Sequence, residues 1–199
     1  VDRGQRQRYT IGLTAYRIGI NYTNNLNFIN VIEPEMRAFA KEVGKTVFFG
    51  VRSDHEVVYI CKTEPENPII TTATVGTKNP MYCTSLGKAI LAYSDEETCG
   101  QIMARMKFKK HTERTITDRE SLKRELERVR DQGYALDERE VEEHMECVGA
   151  PVFGPDGSVV GALSVSSLYK PTEDYEQLGR LTAKKAAEVS KLLGFLGKI

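Results

Sequence analysis

The sequence predicts an α+β fold, an antiparallel sheet with helices packed on its faces. Three observations carry that expectation. Strand-like runs are joined by short turn segments, and amphipathic helical patterns stand before, between and after them. No glycine-rich strand-to-helix turn of the dinucleotide-binding kind occurs. With 199 residues, 40% of them hydrophobic, the chain fits one large domain or one domain with a short appendage.

Tyr9 to Leu13 reads as a short strand. Thr14 to Tyr22 reads as a helix with Ile18 and Tyr22 four apart, broken by Asn24-Asn25. Ile29, Ile32, Met36, Phe39, Ala40 and Val43 recur at three- and four-residue steps, an amphipathic helix that Gly44 stops. Pro34 is tolerated there near a first turn, or marks a later start. Thr46 to Val51 is β-branched and aromatic, Ser53 to Glu56 is turn chemistry, and Val57 to Cys61 is a second strand, so a hairpin with a four-residue connection is expected. Ile69 to Val75 reads as a third strand and Gly76 to Pro80 as a loop.

Ser85 to Tyr93 reads as a helix with Leu86, Ala89, Ile90 and Tyr93 on one face. Ser94 to Glu97 opens another, its acidic first turn suiting the helix dipole. Thr117 as N-cap with Glu120 three residues on forms a capping box for a polar surface helix. That helix carries Leu122, Leu126 and Val129 as a narrow apolar stripe and runs to Gly133; the charges between Arg124 and Arg130 read as its solvated face. Tyr134 to Leu136 is a short strand. Cys147 to Phe153 and Val159 to Leu168 are two more, joined by the turn Gly154-Pro155-Asp156-Gly157. Leu178, Leu181, Ala186, Val189, Leu192 and Leu193 close the chain in a long helix.

Charge bounds the function. The 28 basic and 28 acidic residues cancel, which argues against this segment holding DNA by itself, since duplex binding draws on clustered Lys and Arg. No apolar run approaches a bilayer span and no secretory pattern opens the chain, so a cytoplasmic protein without a membrane partner is expected. Cys61, Cys83, Cys99 and Cys147 form no Cys-x-x-Cys pair and read as reduced, mostly buried thiols. Val1 to Arg8 carries three arginines and no initiator Met, and reads as an edge within a longer protein or as a processed terminus.

Three stretches, taken in order and at their spacing, carry a family resemblance. They are Pro80 to Ala92, containing Thr84-Ser85-Leu86-Gly87-Lys88-Ala89; Thr115-Ile116-Thr117-Asp118 with the helix that follows to Gln132-Gly133-Tyr134-Ala135-Leu136-Asp137; and Cys147 to Phe153 with Gly157 to Ser166. Together with flanking helices, from about Tyr9 to Phe195, the chain resembles the effector-binding C-terminal domain of IclR-type transcriptional regulators. Asn79-Pro80-Met81-Tyr82 and Thr112 to Thr117 look most like regulators of sugar-acid catabolism, such as one responding to 2-keto-3-deoxygluconate. The resemblance implies a GAF- or PAS-like antiparallel sheet flanked by helices. It implies a small organic acid effector (a sugar acid, keto acid or aromatic acid) and a homodimer or homotetramer. DNA would be bound through an N-terminal winged helix-turn-helix, with no enzyme activity and no cofactor. Residues 1–24 would then be the end of that winged domain and a linker helix, and 25–199 the effector-binding domain.

Candidate site residues follow from both sources. Ser85 and Leu86 stand where a helix begins, so free amides and the positive dipole end would draw a carboxylate; a plain N-cap at Thr84 or Ser85 is the alternative. Gly87 and Lys88 read as packing and surface positions. The resemblance puts Asp137 and Cys147 at the pocket: Asp137 as acceptor for a ligand hydroxyl or else as a solvated loop acid, Cys147 as a small wall residue. Ser164 and Ser166, two apart on one strand, share a face, and two hydroxyls there suit a cavity holding a polar ligand or water. Thr71 is a further candidate, and Met81 and Tyr82 belong to the mouth or to the core.

His144, three residues from Cys147, would lie on the opposite strand face, which disfavours a catalytic pair. A metal would need His55, His111 and His144 to converge with Asp137 or Cys147. The competing readings are a GAF-like sensor or interaction module of another signalling protein, and a small hydrolase using Cys147.

Overall fold

A computed structural model describes residues 2–3, 9–10, 12–18, 27–68 and 73–197. Helix α1 is Asn27–Val43. Strand β1 is Thr46–Ser53 and β2 is Glu56–Thr63. Strand β3 is Lys78–Pro80, followed by a 3₁₀ turn at Met81–Cys83 and by α2, Ser85–Tyr93. Helices α3, Glu96–Arg105, and α4, Arg119–Gln132, come next. Then follow β4, Ala135–Asp137; β5, Met145–Phe153; β6, Val159–Leu168; and α5, Tyr175–Leu192. The sheet runs β3-β2-β1-β6-β5-β4 with every pairing antiparallel, so the expected α+β architecture is present. Asp2–Arg3 pairs separately with Tyr9–Thr10, and residues 13–18 are helical.

The sheet has two covered faces. On one, α1 and α5 pack Ile32, Met36, Phe39, Ala186 and Val189 against Val47, Phe49, Val148 and Val165. On the other, α2 and α4 pack Leu86, Ile90, Leu122 and Leu126 against Phe48, Tyr59 and Ala162. Strand alternation assigns most positions, but β2 needs a bulge: Phe49 pairs with Cys61 and Gly50 with Tyr59, so Ile60 is skipped. The extra residue turns Tyr59 to the α2 side while Cys61 stays on the α1 side.

Helix α2 lies unusually close to the strands beneath it. A Cβ on Gly149 of β5 would stand 2.7 Å from the Ser85 carbonyl, and one on Gly50 of β1 would stand 3.0 Å from Leu86 Cδ1. A methyl at Gly87 would meet Met81 backbone at 2.2 Å, so that glycine is a packing requirement of the 3₁₀ turn against the helix.

Several expectations are corrected. Of the expected strand at 69–75, residues 69–72 lie outside the described residues and 73–75 are not strand, while Lys78–Pro80, in the expected loop, is one. The proline explains its brevity: Pro80 offers no N–H to a ladder, and this is an edge strand. The β1–β2 connection is shortened to Asp54-His55, with Asp54 left-handed at φ 58°. Pro34 sits inside α1, seven residues past its start. The cap of α4 is Asp118, whose Oδ1 accepts from Ser121 N at 2.8 Å, so the expected Thr117 box is displaced by one residue. Met81 and Tyr82 are core, the tyrosine hydroxyl donating to Lys109 O at 2.9 Å.

Candidate functional site

The strand register stacks two rungs on the α2 face. Ala135, Gly149, Ser164 and Phe48 form one; Asp137, Cys147, Ser166 and Thr46 form the next. Helix α2 begins above the first rung, pressed on Gly149. Above the second rung lies a cavity of ≈ 100 Å³, room for several waters or a small organic molecule. Asp137, Cys147 and Ser166 floor it, with Phe48 and Tyr59 beside them. Helix α2 contributes its N-cap, Thr84, to the lining. The segment before β3 supplies Ala73 and Thr77, and β3 itself supplies Asn79, whose Nδ2 donates to the Tyr59 hydroxyl at 3.1 Å. Val141, Glu142 and Met145 close the far side.

The segment 138–144 is strapped in place by its own backbone groups. Asp137 Oδ1 accepts from Glu140 N at 2.7 Å. Thr112 Oγ1 donates to Arg139 O at 2.8 Å, and Thr115 Oγ1 to Glu140 O at 2.6 Å. Arg139 is left-handed at φ 65°, and its guanidinium lies 3.9 Å from the centre of the Tyr169 ring.

Behind this strap sits a buried ion cluster. Lys88 of α2 is 1% exposed and pairs with Glu140 and, at 3.1 Å, with Glu125 of α4. The sequence expectation of a surface Lys88 is therefore wrong, and the face of α4 is not wholly solvated. Burial works against the Lys88 charge, but Glu140 and Glu125 together outweigh it and hold the ammonium above its ordinary range. Arg130 of the same helix donates to Ala92 O at 2.6 Å, so α4 grips α2 at both ends.

Asp137 is deeply buried, and that burial, reinforced by Glu140 and opposed by Lys88, lifts its carboxyl to about 7. It carries no solvated-loop character. The Cys147 thiol lies 3.2 Å from Ser166 Oγ. Burial pushes the thiol far up, with the Asp137 charge adding to it, while Ser166 opposes. A nucleophile needs the thiolate, and this environment disfavours it. His144 lines a separate depression with Thr112, Arg114 and Arg139 and does not reach the cavity.

Of the sequence candidates, Asp137, Cys147 and Ser166 thus meet in one cavity. Ser164 points to the same face but lies one rung inward, 2% exposed beside Gly149, and is not in the lining. Ser85 and Leu86 are likewise buried and outside it; Thr84 takes the cap, accepting from Gly87 N at 3.2 Å. Thr71 lies outside the described residues. Tyr59, Asn79, Thr84 and Glu142 were missed. Tyr59 depends on the bulge, which no residue type announces; the residue type of Asn79, a polar side chain beside Pro80, was the available hint for that position. Among the described residues no group of three His, Cys, Asp or Glu is placed to hold a metal.

Residues 20–191 match the family model described as bacterial transcriptional regulator IclR C-terminal. The chain is 30% identical over 196 residues to the HTH-type transcriptional regulator KdgR of Escherichia coli K12, covering 98% of this chain and 74% of that protein. The crystal structure of the Thermotoga maritima IclR superposes with a TM-score of 0.85 at 31% identity, over 97% of this chain and 79% of that one. The crystallised C-terminal domain of E. coli KdgR superposes with a TM-score of 0.75 at 31% identity, over 84% of this chain and 99% of that domain.

Proposed function

The chain belongs to the IclR family of bacterial transcriptional regulators, as its C-terminal domain, and from that premise we propose that its cavity is the receptor for a small organic acid. Binding there changes how DNA-binding segments outside residues 25–199 are presented to an operator. In this reading residues 1–24 link the two parts, the protein works in the cytoplasm as a homodimer or homotetramer, and no covalent chemistry is performed.

The observation that carries the reading is the cavity itself: a hole in an otherwise packed core, floored by Asp137, Cys147 and Ser166. Protein interiors are close-packed, so a void lined by polar groups is a place where a polar guest fits. Ser166 and the Tyr59–Asn79 pair offer hydroxyl and amide contacts to a keto or hydroxyl oxygen. Thr84, at the positive end of α2, brings the acid group toward that dipole. Ser164, Ser85 and Leu86 act from the next layer, fixing the floor and the helix start.

Transmission follows from connectivity. A guest that displaces Asp137 or Glu142 moves the strap, and the strap holds Lys88 and through it α4. Two subunit arrangements that differ in strap position would be biased by a guest only to the extent that it binds them unequally.

Titration calorimetry with 2-keto-3-deoxygluconate, gluconate, pyruvate and 3-hydroxybenzoate tests the proposal. Saturable heat from one of them, abolished by Ser166→Leu, is expected. Binding that survives Ser166→Leu at full strength refutes the site.

A further inference from the structure

We propose that the cavity takes an acid guest together with a proton, which Asp137 carries, so that Asp137 meets the guest as a hydrogen-bond donor and not as a second anion. This deepens the sensing reading and rests on it. The starting point is a charge inventory. Among the described lining residues there are two carboxylates, Asp137 and Glu142, and no Lys or Arg.

The nearest ammonium is already engaged. Lys88 is enclosed by Glu140 and Glu125, and Glu125 is shared with Arg128 at 2.9 Å. Arg128 is also shared with Glu138 at 3.4 Å, so these two cations already face three carboxylates, and Asp137 is left over. An anionic guest beside an ionised Asp137 would put two negative charges into a small cavity with no lining cation among the described residues. Carboxylates forced into one site resolve this by sharing a proton.

The groups facing Asp137 cannot substitute for it. From its own segment comes Glu140, bound to Lys88, and from α2 comes Lys88 itself; Glu142 lines the opposite side, and the Asp137→Asn variant separates the two carboxylates. Cys83 of the 3₁₀ turn, Cys147 of β5 and Tyr59 of β2 are all pushed upward by burial and stay neutral near pH 7. Without a guest, burial already lifts Asp137 to about 7, and an anion alongside lifts it further. Glu140 N already donates to Oδ1, so the carboxyl is held with its orientation fixed before a guest arrives.

The experiment is calorimetry of the whole chain with sodium 2-keto-3-deoxygluconate, gluconate and pyruvate, each in phosphate and in Tris at about pH 8, where Asp137 is mostly ionised without a guest. The buffers differ in ionisation heat, so the difference between them counts protons. Uptake of about one proton is expected, fading towards zero near pH 5.5, with affinity falling about tenfold per pH unit above 8. Asp137→Asn should bind with no uptake and a flat pH profile, and Glu127→Gln, on the exposed face of α4, should keep the uptake. Binding with equal heats in both buffers overturns the proposal while leaving the sensing reading intact, as does uptake that survives Asp137→Asn. Should that variant not fold, the pH profile of the wild-type uptake decides: uptake that fades through about pH 7 as pH falls supports Asp137, and uptake that does not fade there overturns the proposal. No heat from any of the three acids between about pH 5.5 and 8.5 overturns the sensing reading, and this one with it.

Discussion

Replacing Lys88 by methionine isolates the ion cluster from the packing around it. Methionine fills nearly the same volume in the 1%-exposed slot on α2 but removes the ammonium. Glu140, with 4% of its side chain exposed, then loses its counter-charge, while Glu125, 11% exposed, keeps Arg128 at 2.9 Å. Deleting one partner of a buried pair typically costs about 3–5 kcal/mol, because the abandoned charge cannot reach water. For a chain of this size that is a melting temperature about 6–20 °C lower.

The pH dependence sharpens the test. Lys88 is raised in the fold, so its contribution is fully present below the ordinary lysine range and disappears only as pH climbs through the raised value. In the variant, Glu140 can relieve its isolation by taking a proton, so the deficit should shrink as pH falls towards about 5. Lys88→Met/Glu140→Gln removes both charges and should recover most of the loss. Urea denaturation followed by circular dichroism, at about pH 5 and 7.5, measures all three proteins. A loss below about 1 kcal/mol, equal at both pH values, would refute the reasoning, because that is the signature of a solvated ion pair.

Other outcomes are equally specific. Asp137 prefers its protonated form in the fold, so wild-type stability should fall as pH rises from about 4 to about 7. Asp137→Asn, which keeps an acceptor for Glu140 N, should match wild type at the acid end and exceed it by a few kcal/mol at about pH 8 in urea titrations. Gly149→Ala pushes a methyl into the Ser85 carbonyl and should cost about 1–3 kcal/mol while weakening any guest that binds, both read by thermal melts with and without ligand. All four thiols are held above their ordinary range by burial. Iodoacetamide at about pH 7.5 should therefore leave the native chain unlabelled and modify all four cysteines in denaturant, as mass spectrometry would count.

Much of the fold was legible because its signals are local. Val159–Leu168 and Ser85–Tyr93 stand where expected, one bounded by a Gly-Pro-Asp-Gly turn and the other by a capping threonine. The third strand was not legible: Lys78–Pro80 has no strand composition and exists because β2 offers it an edge. The cavity floor, Asp137, Cys147 and Ser166, followed from alternation and resemblance, while the walls, with Tyr59, Asn79 and Thr84, did not. Ser164 shows the limit of alternation, which assigns a face but not the level at which a helix covers it.

Lys88 shows a different limit. Helix α2 carries one charged residue among nine, and a helix apolar all round is a buried helix. That pattern implied an interior lysine in need of counter-charges. The counter-charges themselves, Glu125 and Glu140, lie 37 and 52 residues away and only the tertiary fold selects them.

The level at which α2 starts divides responsibilities in this molecule. The glycine-bearing rung beneath it is committed to seating a helix and tolerates almost no alteration. The rung next to it supports no helix turn, so exchanging Cys147 or Ser166 for larger or smaller residues resizes the cavity at less expense to the scaffold. A lineage built this way is free to change what it detects while keeping the same body, and the two strand positions are where a designer wishing to retarget the sensor would begin.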